Sequence, residues 1–252
     1  MEEKLGLVSI IMATYNAEKT IGVAIDSILA QTYTDWELLV VNDCSKDDTT
    51  ALVSAYSDPR IRLLENDKNS GVSISRKKGM EAANGEWIAI LDSDDKWTQD
   101  KLEKQLRFAE KSGGDLIYSG SAFMDDNGHP INWQLHVPSI LTYKELLKQN
   151  LISNSSVLVK ASLYRKYYIV GDGMHEDYAI WLQMTKEGII AYGIDEPLLV
   201  YRIAKVSKSS NKIKAAKMNW NTYRYVGLNI IQCAYYEFRY AINGIMKYKN
   251  LR

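Results

Sequence analysis

The chain has 252 residues, 46% hydrophobic and 25% charged, which is the composition of an ordinary folded protein. Its 31 basic and 31 acidic residues cancel, and this argues against nucleic acid as a partner, because such a partner attracts a basic excess. The charge is unevenly spread, since residues 203–252 contain ten Lys or Arg and one acid, Glu237. An acidic body is thus followed by a basic tail.

The two cysteines, Cys44 and Cys233, form neither a CxxC pair nor a disulfide framework, and this favours a reducing compartment. The chain starts with Met-Glu-Glu-Lys and a short apolar run, whereas a signal peptide needs a basic start and a longer apolar stretch. No apolar run approaches the roughly 20 residues that cross a bilayer. We therefore expect a cytoplasmic protein, or one that is peripheral on the inner face of the cytoplasmic membrane.

Residues 7–111 alternate short apolar runs with segments of helical periodicity. Strands are predicted at 7–12, 37–41, 61–64 and 87–91, and helices at 21–29, 49–56, 73–83 and 99–111. Asn16 is the predicted N-cap of the first helix. This order predicts a parallel sheet wrapped by helices. Ligands bind such sheets beyond the carboxyl ends of the strands, where this sequence places polar and acidic residues.

After residue 115 the alternation is less regular. Strands are predicted at 116–124, 157–160 and 198–202, and helices at 143–149 and 178–186. No linker, repeat or low-complexity segment interrupts the chain. We therefore predict one α/β domain over residues 1–202, followed by a basic, aromatic and mainly helical tail over residues 203–252.

Three carboxylates within four residues follow the fourth predicted strand: Asp92, Asp94 and Asp95. Such acids repel one another unless a positive group joins them. Hard divalent cations take oxygen ligands, and Mg²⁺ commonly uses one or two carboxylates together with substrate phosphates. The turn is therefore a candidate metal site. The alternative is an acidic turn that only caps the next helix.

Four further charged residues are candidates, each with a structural alternative. Asp43 follows the second strand, where it could accept the N–H of a uracil ring or cap the next helix. Arg76 lies one turn into the third helix, where it could pair with a diphosphate or with carboxylates, or remain a solvated charge. Glu176 and Asp177 are typical of a helix N-terminus, and an acid there could also act as a general base.

Taken in order, these segments resemble the family 2 glycosyltransferases, whose fold is of the GT-A type. The resemblance covers roughly the first 210 residues, and the ordered set of motifs is specific. The matching segments are Val8-Ser9-Ile10-Ile11-Met12-Ala13-Thr14-Tyr15-Asn16, Gln31-Thr32-Tyr33, Trp36-Glu37, Asn42-Asp43-Cys44-Ser45, Asn69-Ser70-Gly71, Ser75-Arg76, Gly85-Glu86-Trp87, Leu91-Asp92-Ser93-Asp94-Asp95, Glu176-Asp177-Tyr178, Trp181-Leu182 and Tyr201-Arg202.

The resemblance implies a donor site and makes residues 1–115 the nucleotide-binding half of a catalytic domain. Six residues would bind the nucleotide-sugar donor: Ala13, Tyr15, Asp43, Arg76, Asp92 and Ser93. Among them, Tyr15 would border the uracil and Asp43 would bind its ring N–H. Arg76 would lie near the base and the diphosphate.

The resemblance also implies the chemistry, with residues 116–202 as the acceptor half. Asp94, the second acid of the Asp-x-Asp motif, would bind Mn²⁺ or Mg²⁺, and Asp95 would support the loop. Asp177 would be the catalytic base, with Glu176 positioning acceptor or donor. The reaction would invert the anomeric carbon and place a sugar on a saccharide acceptor. Bacterial surface polysaccharide, built on an undecaprenyl-diphosphate-linked acceptor, is the implied setting.

One departure from the family pattern concerns the metal. Many relatives have a histidine shortly after the equivalent of Tyr201-Arg202 that helps to hold the ion, and this chain has Ala204 and Lys205 there. The ion would then depend on Asp94, the diphosphate and water, or Lys205 would neutralise phosphate in its place.

Two other functions remain open from the sequence. One is a non-catalytic protein that binds a nucleotide sugar or a carbohydrate. The other is a sugar-nucleotide pyrophosphorylase, which would need a glycine-rich basic loop that residues 13–18 do not provide. A Rossmann dehydrogenase is a poorer alternative still, because no G-x-G-x-x-G follows any predicted strand.

The tail has two interpretations. Residues 223–248 interleave aromatic and basic side chains, with apolar residues near helical spacing. This pattern is typical of an interfacial helix on an anionic membrane, where a lipid-linked acceptor would be held. It is equally typical of a helix that packs on the core or on a partner chain.

Overall fold

A computed structural model describes residues 5–171, 173–203 and 212–247. The strands are β1 (Val8–Thr14), β2 (Trp36–Asn42), β3 (Ile61–Glu65), β4 (Trp87–Ile90), β5 (Lys96–Trp97), β6 (Leu116–Met124), β7 (Pro130–Leu135), β8 (Ile140–Leu141), β9 (Leu158–Lys160) and β10 (Ala191–Arg202). The helices are α1 (Ile21–Leu29), α2 (Thr49–Ser54), α3 (Val72–Ala82), α4 (Lys101–Ser112), α5 (Tyr143–Leu146), α6 (Ala161–Tyr167), α7 (Glu176–Lys186), α8 (Lys212–Tyr225) and α9 (Ile230–Lys247). A 3₁₀ turn spans Asn154–Ser156.

The strands form one sheet in the order β3-β2-β1-β4-β9-β6-β10-β5, with β7 beside β6 and β8 beside β10. Strands β1 to β4 pair in parallel, with Ile10 opposite Leu38 on one side and Ala89 on the other. Strands β1, β2 and β4 are nearly continuous apolar runs because helices cover both of their faces, whereas β3, at the edge of the sheet, is only partly buried. The predicted α/β architecture is confirmed.

Strand β9 lies between the two halves of the sheet and runs antiparallel to both of its neighbours. It pairs antiparallel with both β4 and β6, and β6 pairs in parallel with β10. Strands β1, β4, β6 and β10 therefore all point the same way. Their carboxyl ends share one edge, which is where a ligand site is expected.

Each face of the sheet carries its own hydrophobic core. Ile10 and Met12 pack with α1 and α4 on one face, whereas Ile11 packs on the other with α3 and α7. Helices α8 and α9 add Tyr223 and Cys233 to the second core. The division between a domain and a tail after residue 202 stays a prediction.

Two local predictions were wrong. Asn16 is not the N-cap of α1, which begins at Ile21 after Thr20. Instead Asn16 has a left-handed backbone, with φ of 51°, and its side-chain Oδ1 accepts a hydrogen bond from Lys46 N at 2.8 Å. The residue therefore joins the loops after β1 and β2. Strand β10 begins at Ala191 rather than 198, with a break in its pairing to β6 between Ile194 and Leu199.

Gly85 packs directly against the backbone at the start of β1. A Cβ at this position would come within 2.6 Å of Ser9 N and 2.7 Å of Leu7 O, so backbone atoms would have to move. We expect Gly85→Ala to lower the free energy of unfolding by about 1–3 kcal/mol, because overpacking strains the ordered backbone. Urea unfolding followed by circular dichroism measures the change.

Gly22 on α1 is the matched control, because a Cβ there would meet nothing closer than Tyr56 Oη at 3.6 Å. Gly22→Ala is expected to be neutral or stabilising, since alanine restricts the unfolded chain and favours a helix. Equal losses of stability from the two substitutions would contradict the steric argument.

Candidate active site

The turn Asp92–Asp95, called the acidic turn below, follows β4 and is fixed from two directions. Asp92 N donates to Ser155 Oγ of the 3₁₀ turn at 3.2 Å. At the end of β10, Arg202 N donates to Asp95 Oδ1 at 2.9 Å, and Arg202 Nε donates to Asp94 O at 2.8 Å. The acidic turn is therefore held in place by the second half of the sheet.

The electrostatics of the acidic turn favour an added positive charge. Burial raises the pKa of Asp94, and the neighbouring Asp92 carboxylate raises it further, against the opposing effect of Arg202 and Arg76. Burial, together with Asp94 and Asp92, also raises the pKa of Asp95 well above its usual range. A cation bound here would relieve this repulsion.

The fit to a divalent metal rests on the chemistry of these donors. They are carboxylate oxygens, which hard cations prefer, and Asp95 Oδ2 is buried without a hydrogen-bond partner. Among residues 5–171, 173–203 and 212–247, no three His, Cys, Asp or Glu side chains are grouped to hold a metal by themselves. The acidic turn therefore fits an ion whose remaining ligands come from substrate phosphates and water.

Arg76 connects the acidic turn to the first turn of α7. Arg76 is 7% exposed, and its guanidinium has Nη2 at 2.5 Å from Asp92 Oδ1 and Nη1 at 3.4 Å from Glu176 Oε1. Burial opposes its charge, but the two carboxylates outweigh this and raise the pKa of Arg76 above its ordinary value. One buried cation thus joins acids that are far apart in the sequence.

Asp177 directly follows Glu176 and is half-buried in the first turn of α7. From Tyr178 to Leu182 the helix is buried in the core, so its N-terminus is firmly positioned. The preceding residue, His175, donates its backbone N–H to Thr222 Oγ1 of α8 at 3.0 Å. The predicted base is therefore carried by a rigid helix beside the Arg76 contact.

Asp43 is buried and organises the loop before α3. Its carboxylate accepts hydrogen bonds from Asn66 Nδ2, Ser70 N and Gly71 N, each at 2.8 Å. Although burial opposes ionisation, these bonds lower the pKa of Asp43 below its usual value. The sequence did not predict this loop-organising role, and Asn66 was not among the candidate residues.

The remaining predicted donor residues lie at the ends of β1 and β4. Tyr15 follows β1 with 48% of its surface exposed, and Ala13 and Ser93 are half-buried. Next to Tyr15, Asn16 N donates to Ser45 Oγ at 3.0 Å. Cys44, which precedes Ser45 in the loop after β2, has a φ of 62°. Two non-glycine residues with left-handed backbone thus border the candidate nucleotide site, where such strain is common.

Arg202 anchors the acidic turn, a role that its place in the Tyr201-Arg202 motif did not indicate. Besides the acidic turn, its Nη1 donates to Asp125 O and Asp126 O after β6, at 3.3 and 3.0 Å. A basic residue at the end of a predicted strand is the sequence feature that could have indicated this role. Ala204 and Lys205, which stand where many relatives have a metal-binding histidine, lie outside the described residues.

The sheet order and the helices on both faces define the GT-A class of transferase folds, as predicted. Two solved structures share this fold at low sequence identity. Residues 1–349 of Staphylococcus aureus TarS, in complex with UDP-GlcNAc, align with a TM-score of 0.75 and 18% identity, covering 94% of this chain and 74% of that one. The mannosyltransferase PcManGT from Pyrobaculum calidifontis, in complex with GDP-Man and Mn²⁺, aligns with a TM-score of 0.69 and 18% identity, covering 92% and 68%.

The chain belongs to glycosyl transferase family 2, whose model matches residues 9–170. It is 37% identical over 244 residues to TuaG of Bacillus subtilis, which is named as a glycosyltransferase of teichuronic acid biosynthesis; the match covers 96% of this chain and 97% of TuaG. It is also 37% identical over 250 residues to the Escherichia coli protein WfgD, covering 97% of each chain. WfgD is named as a UDP-Glc:alpha-D-GlcNAc-diphosphoundecaprenol beta-1,3-glucosyltransferase.

Proposed function

We propose that this protein transfers a sugar from a UDP-sugar to a hydroxyl of a saccharide acceptor, with inversion at the anomeric carbon. The observation that carries the proposal is the contact of Arg76 with both Asp92 and Glu176. Asp94 lies two residues after Asp92, and Asp177 directly follows Glu176. The contact therefore supports one site that holds donor, metal and base together.

We propose that six residues bind the nucleotide-sugar donor: Ala13, Tyr15, Asp43, Arg76, Asp92 and Ser93. The exposed ring of Tyr15 offers an aromatic face for the base. Asp43 would accept the uracil N–H with an oxygen that already orients the loop before α3. Arg76 would neutralise the diphosphate while it remains close to Asp92 and Ser93. The UDP-GlcNAc bound to TarS and the UDP-Glc in the name of WfgD favour uridine.

Asp94 would hold Mn²⁺ or Mg²⁺ together with the donor diphosphate, with Asp95 supporting the loop. The ion, when bound, would stabilise the negative charge that develops on the departing diphosphate. The raised pKa of Asp94 supports this assignment, because its repulsion from Asp92 is relieved when a cation binds.

The chemical step that we propose is a single in-line displacement. The acceptor oxygen forms a bond to the anomeric carbon while Asp177 takes its proton. The bond from that carbon to the diphosphate oxygen breaks, and UDP leaves with the electron pair. An α-linked donor thus gives a β-linked product. Glu176, held near Arg76, would position the two substrates for attack.

For the setting, we propose surface-polysaccharide synthesis on a lipid-diphosphate-linked saccharide at the inner face of the cytoplasmic membrane. The name of WfgD, with its diphosphoundecaprenol acceptor, supports this acceptor class. Within the part of the chain that the structure describes, no helix has the length and apolarity needed to span a bilayer.

A donor screen tests the proposal. Release of the nucleoside diphosphate is measured, as UDP from UDP-Glc and UDP-GlcNAc and as GDP from GDP-Man, with GlcNAc-diphosphate-lipid as acceptor, in MnCl₂, MgCl₂ or EDTA. We expect acceptor-dependent release from a UDP-sugar, loss of activity in EDTA and a β-linkage by NMR. Full activity in EDTA would contradict the metal assignment, and an α-linked product would contradict inversion. Formation of UTP from pyrophosphate and a UDP-sugar would instead indicate a pyrophosphorylase.

A further inference from the structure

Helix α9 presents an apolar stripe to solvent. Ile231 is 81% exposed, Tyr235 53%, Phe238 65% and Ile242 39%. On an ideal helix these four side chains fall within about 60° of one another. Ala234 and Ala241, also exposed, lie along one side of the stripe, and Ile230 is exposed at the start of the helix. Contiguous exposed apolar surface of this kind marks an interaction site.

The opposite side of α9 is occupied by the protein itself. Cys233 is fully buried, and the Tyr240 ring lies 6.1 Å from the Tyr178 ring of α7. Glu237, the acid of the basic tail, turns inward and accepts a hydrogen bond from Asn219 Nδ2 of α8 at 2.8 Å. The core-packing interpretation of this helix is therefore correct for one face, and it leaves the other face apolar and without a carboxylate.

The charge around α9 favours an anionic lipid surface over a second copy of the chain. Residues 212–247 contain six Lys or Arg and one acid, and Lys217 and Arg224 of α8 are exposed. A two-fold contact would bring two such basic segments together, and they would repel each other. Anionic headgroups attract the same segments, and an apolar stripe inserts at the boundary of headgroups and acyl chains.

The position of α9 suits an acceptor that is held at a membrane. Its inner face contacts α7 at Tyr178, which directly follows Asp177. Packed helices lie about 8–10 Å apart, so the stripe is roughly one helix diameter beyond the helix that carries Asp177. A saccharide on a lipid diphosphate would be presented at such a distance from the bilayer surface.

We propose that Ile231, Tyr235, Phe238 and Ile242 form a membrane-docking face that rests in the headgroup region of an anionic bilayer. This deepens the proposed function, on which it rests for the lipid-linked acceptor. It assigns the membrane contact to one face of one helix. Tyr235 fits such a boundary, because its ring is apolar and its hydroxyl can remain hydrated.

Vesicle flotation of the full-length chain, without nucleotide or metal, tests the proposal. One set of vesicles is phosphatidylcholine alone, and the other also contains phosphatidylglycerol. We expect binding to the anionic vesicles that weakens with salt, and a roughly tenfold or larger loss of binding for the double variant Ile231→Gln/Phe238→Gln. The control is Val23→Gln/Leu52→Gln, because these residues of α1 and α2 are 44% and 40% exposed. This control is expected to bind as the original chain does.

Several outcomes would overturn the proposal. The first is that the original chain does not bind anionic vesicles. The second is that the control variant loses as much vesicle binding as the α9 variant. The third is that the α9 variant binds fully while circular dichroism shows that both variants are folded. If light scattering shows that the original chain is a dimer that does not bind vesicles, and that the α9 variant is a monomer, the stripe would be assigned to a second copy of the chain. If the vesicles bind as expected but the donor screen shows no UDP release, the proposed transferase function would be contradicted and the membrane-docking face would stand.

Discussion

Asp177→Asn is expected to lower the rate of sugar transfer by about 10²–10⁴-fold, the usual contribution of a general base. The amide has the shape of the carboxylate but does not take the proton of the acceptor hydroxyl. It also leaves Arg76 and Glu176 in place, so the binding of UDP with MnCl₂ is expected to be unchanged. Initial rates of UDP release and calorimetric titration with UDP and MnCl₂ measure the two effects separately.

Asp115→Asn provides the control for this prediction. Asp115 is exposed and immediately precedes β6, at the end of that strand away from the acidic turn. The same change of charge there is expected to leave both transfer and UDP binding unaltered. Normal turnover by Asp177→Asn would show that another group takes the proton. Loss of UDP binding by the same variant would point to a role in the donor site.

The first half of the fold could be predicted closely because its determinants are local. Strands β1, β2, β3 and β4 are apolar runs bounded by polar residues, and each lies within two residues of its predicted bounds at both ends. Burial on both faces makes the runs of β1, β2 and β4 nearly continuous. Helix α1 matches its prediction, since its apolar residues repeat at the spacing of one helical face.

The second half depends on pairings that a linear pattern does not contain. The antiparallel strand β9 has three residues, and its place between β4 and β6 reflects contacts across more than forty positions. The start of β10 contains Gly193, Asp195 and Pro197, which are typical of a loop. Residues 191–194 are strand because β6 and β8 pair with them, and a break in register before Leu199 accommodates the stretch that contains Asp195 and Pro197.

The residue types of the candidate site could be predicted from strand ends, but their contacts could not. Asp92 and Glu176 are both acids, and nothing in their spacing indicates that one guanidinium, Arg76, joins them. Asp43 was predicted as a ligand for a base, and the three hydrogen bonds that it accepts from its own chain arise from the path of residues 66–71. Contacts of this kind appear only when the loops are placed in three dimensions.

Asp94→Asn is expected to weaken metal-dependent binding of UDP without lowering the stability of the fold. Loss of the carboxylate should weaken the metal-dependent binding of UDP by at least about 10–100-fold, which is the cost of losing only a group that supports a metal ligand, and abolish transfer. Binding of UDP in EDTA is expected to be unchanged. Calorimetric titrations with and without MnCl₂ measure this. Asp126→Asn, an exposed acid in the turn after β6, is the control, and equal metal affinity in the Asp94 and Asp126 variants would contradict the assignment.

The same substitution is expected to stabilise the fold at neutral pH. The pKa of Asp94 is raised in the folded protein, first by burial and then by Asp92, so its ionised form costs stability above the pKa of the unfolded chain. The cost grows as pH rises through the folded pKa, and it vanishes at acidic pH, where Asp94 is protonated in both states. Urea unfolding should therefore show Asp94→Asn to be more stable than the original chain at neutral pH and equal to it in acid. A variant that loses metal-dependent binding while it gains stability would show that this acid is retained for its ligand rather than for the fold.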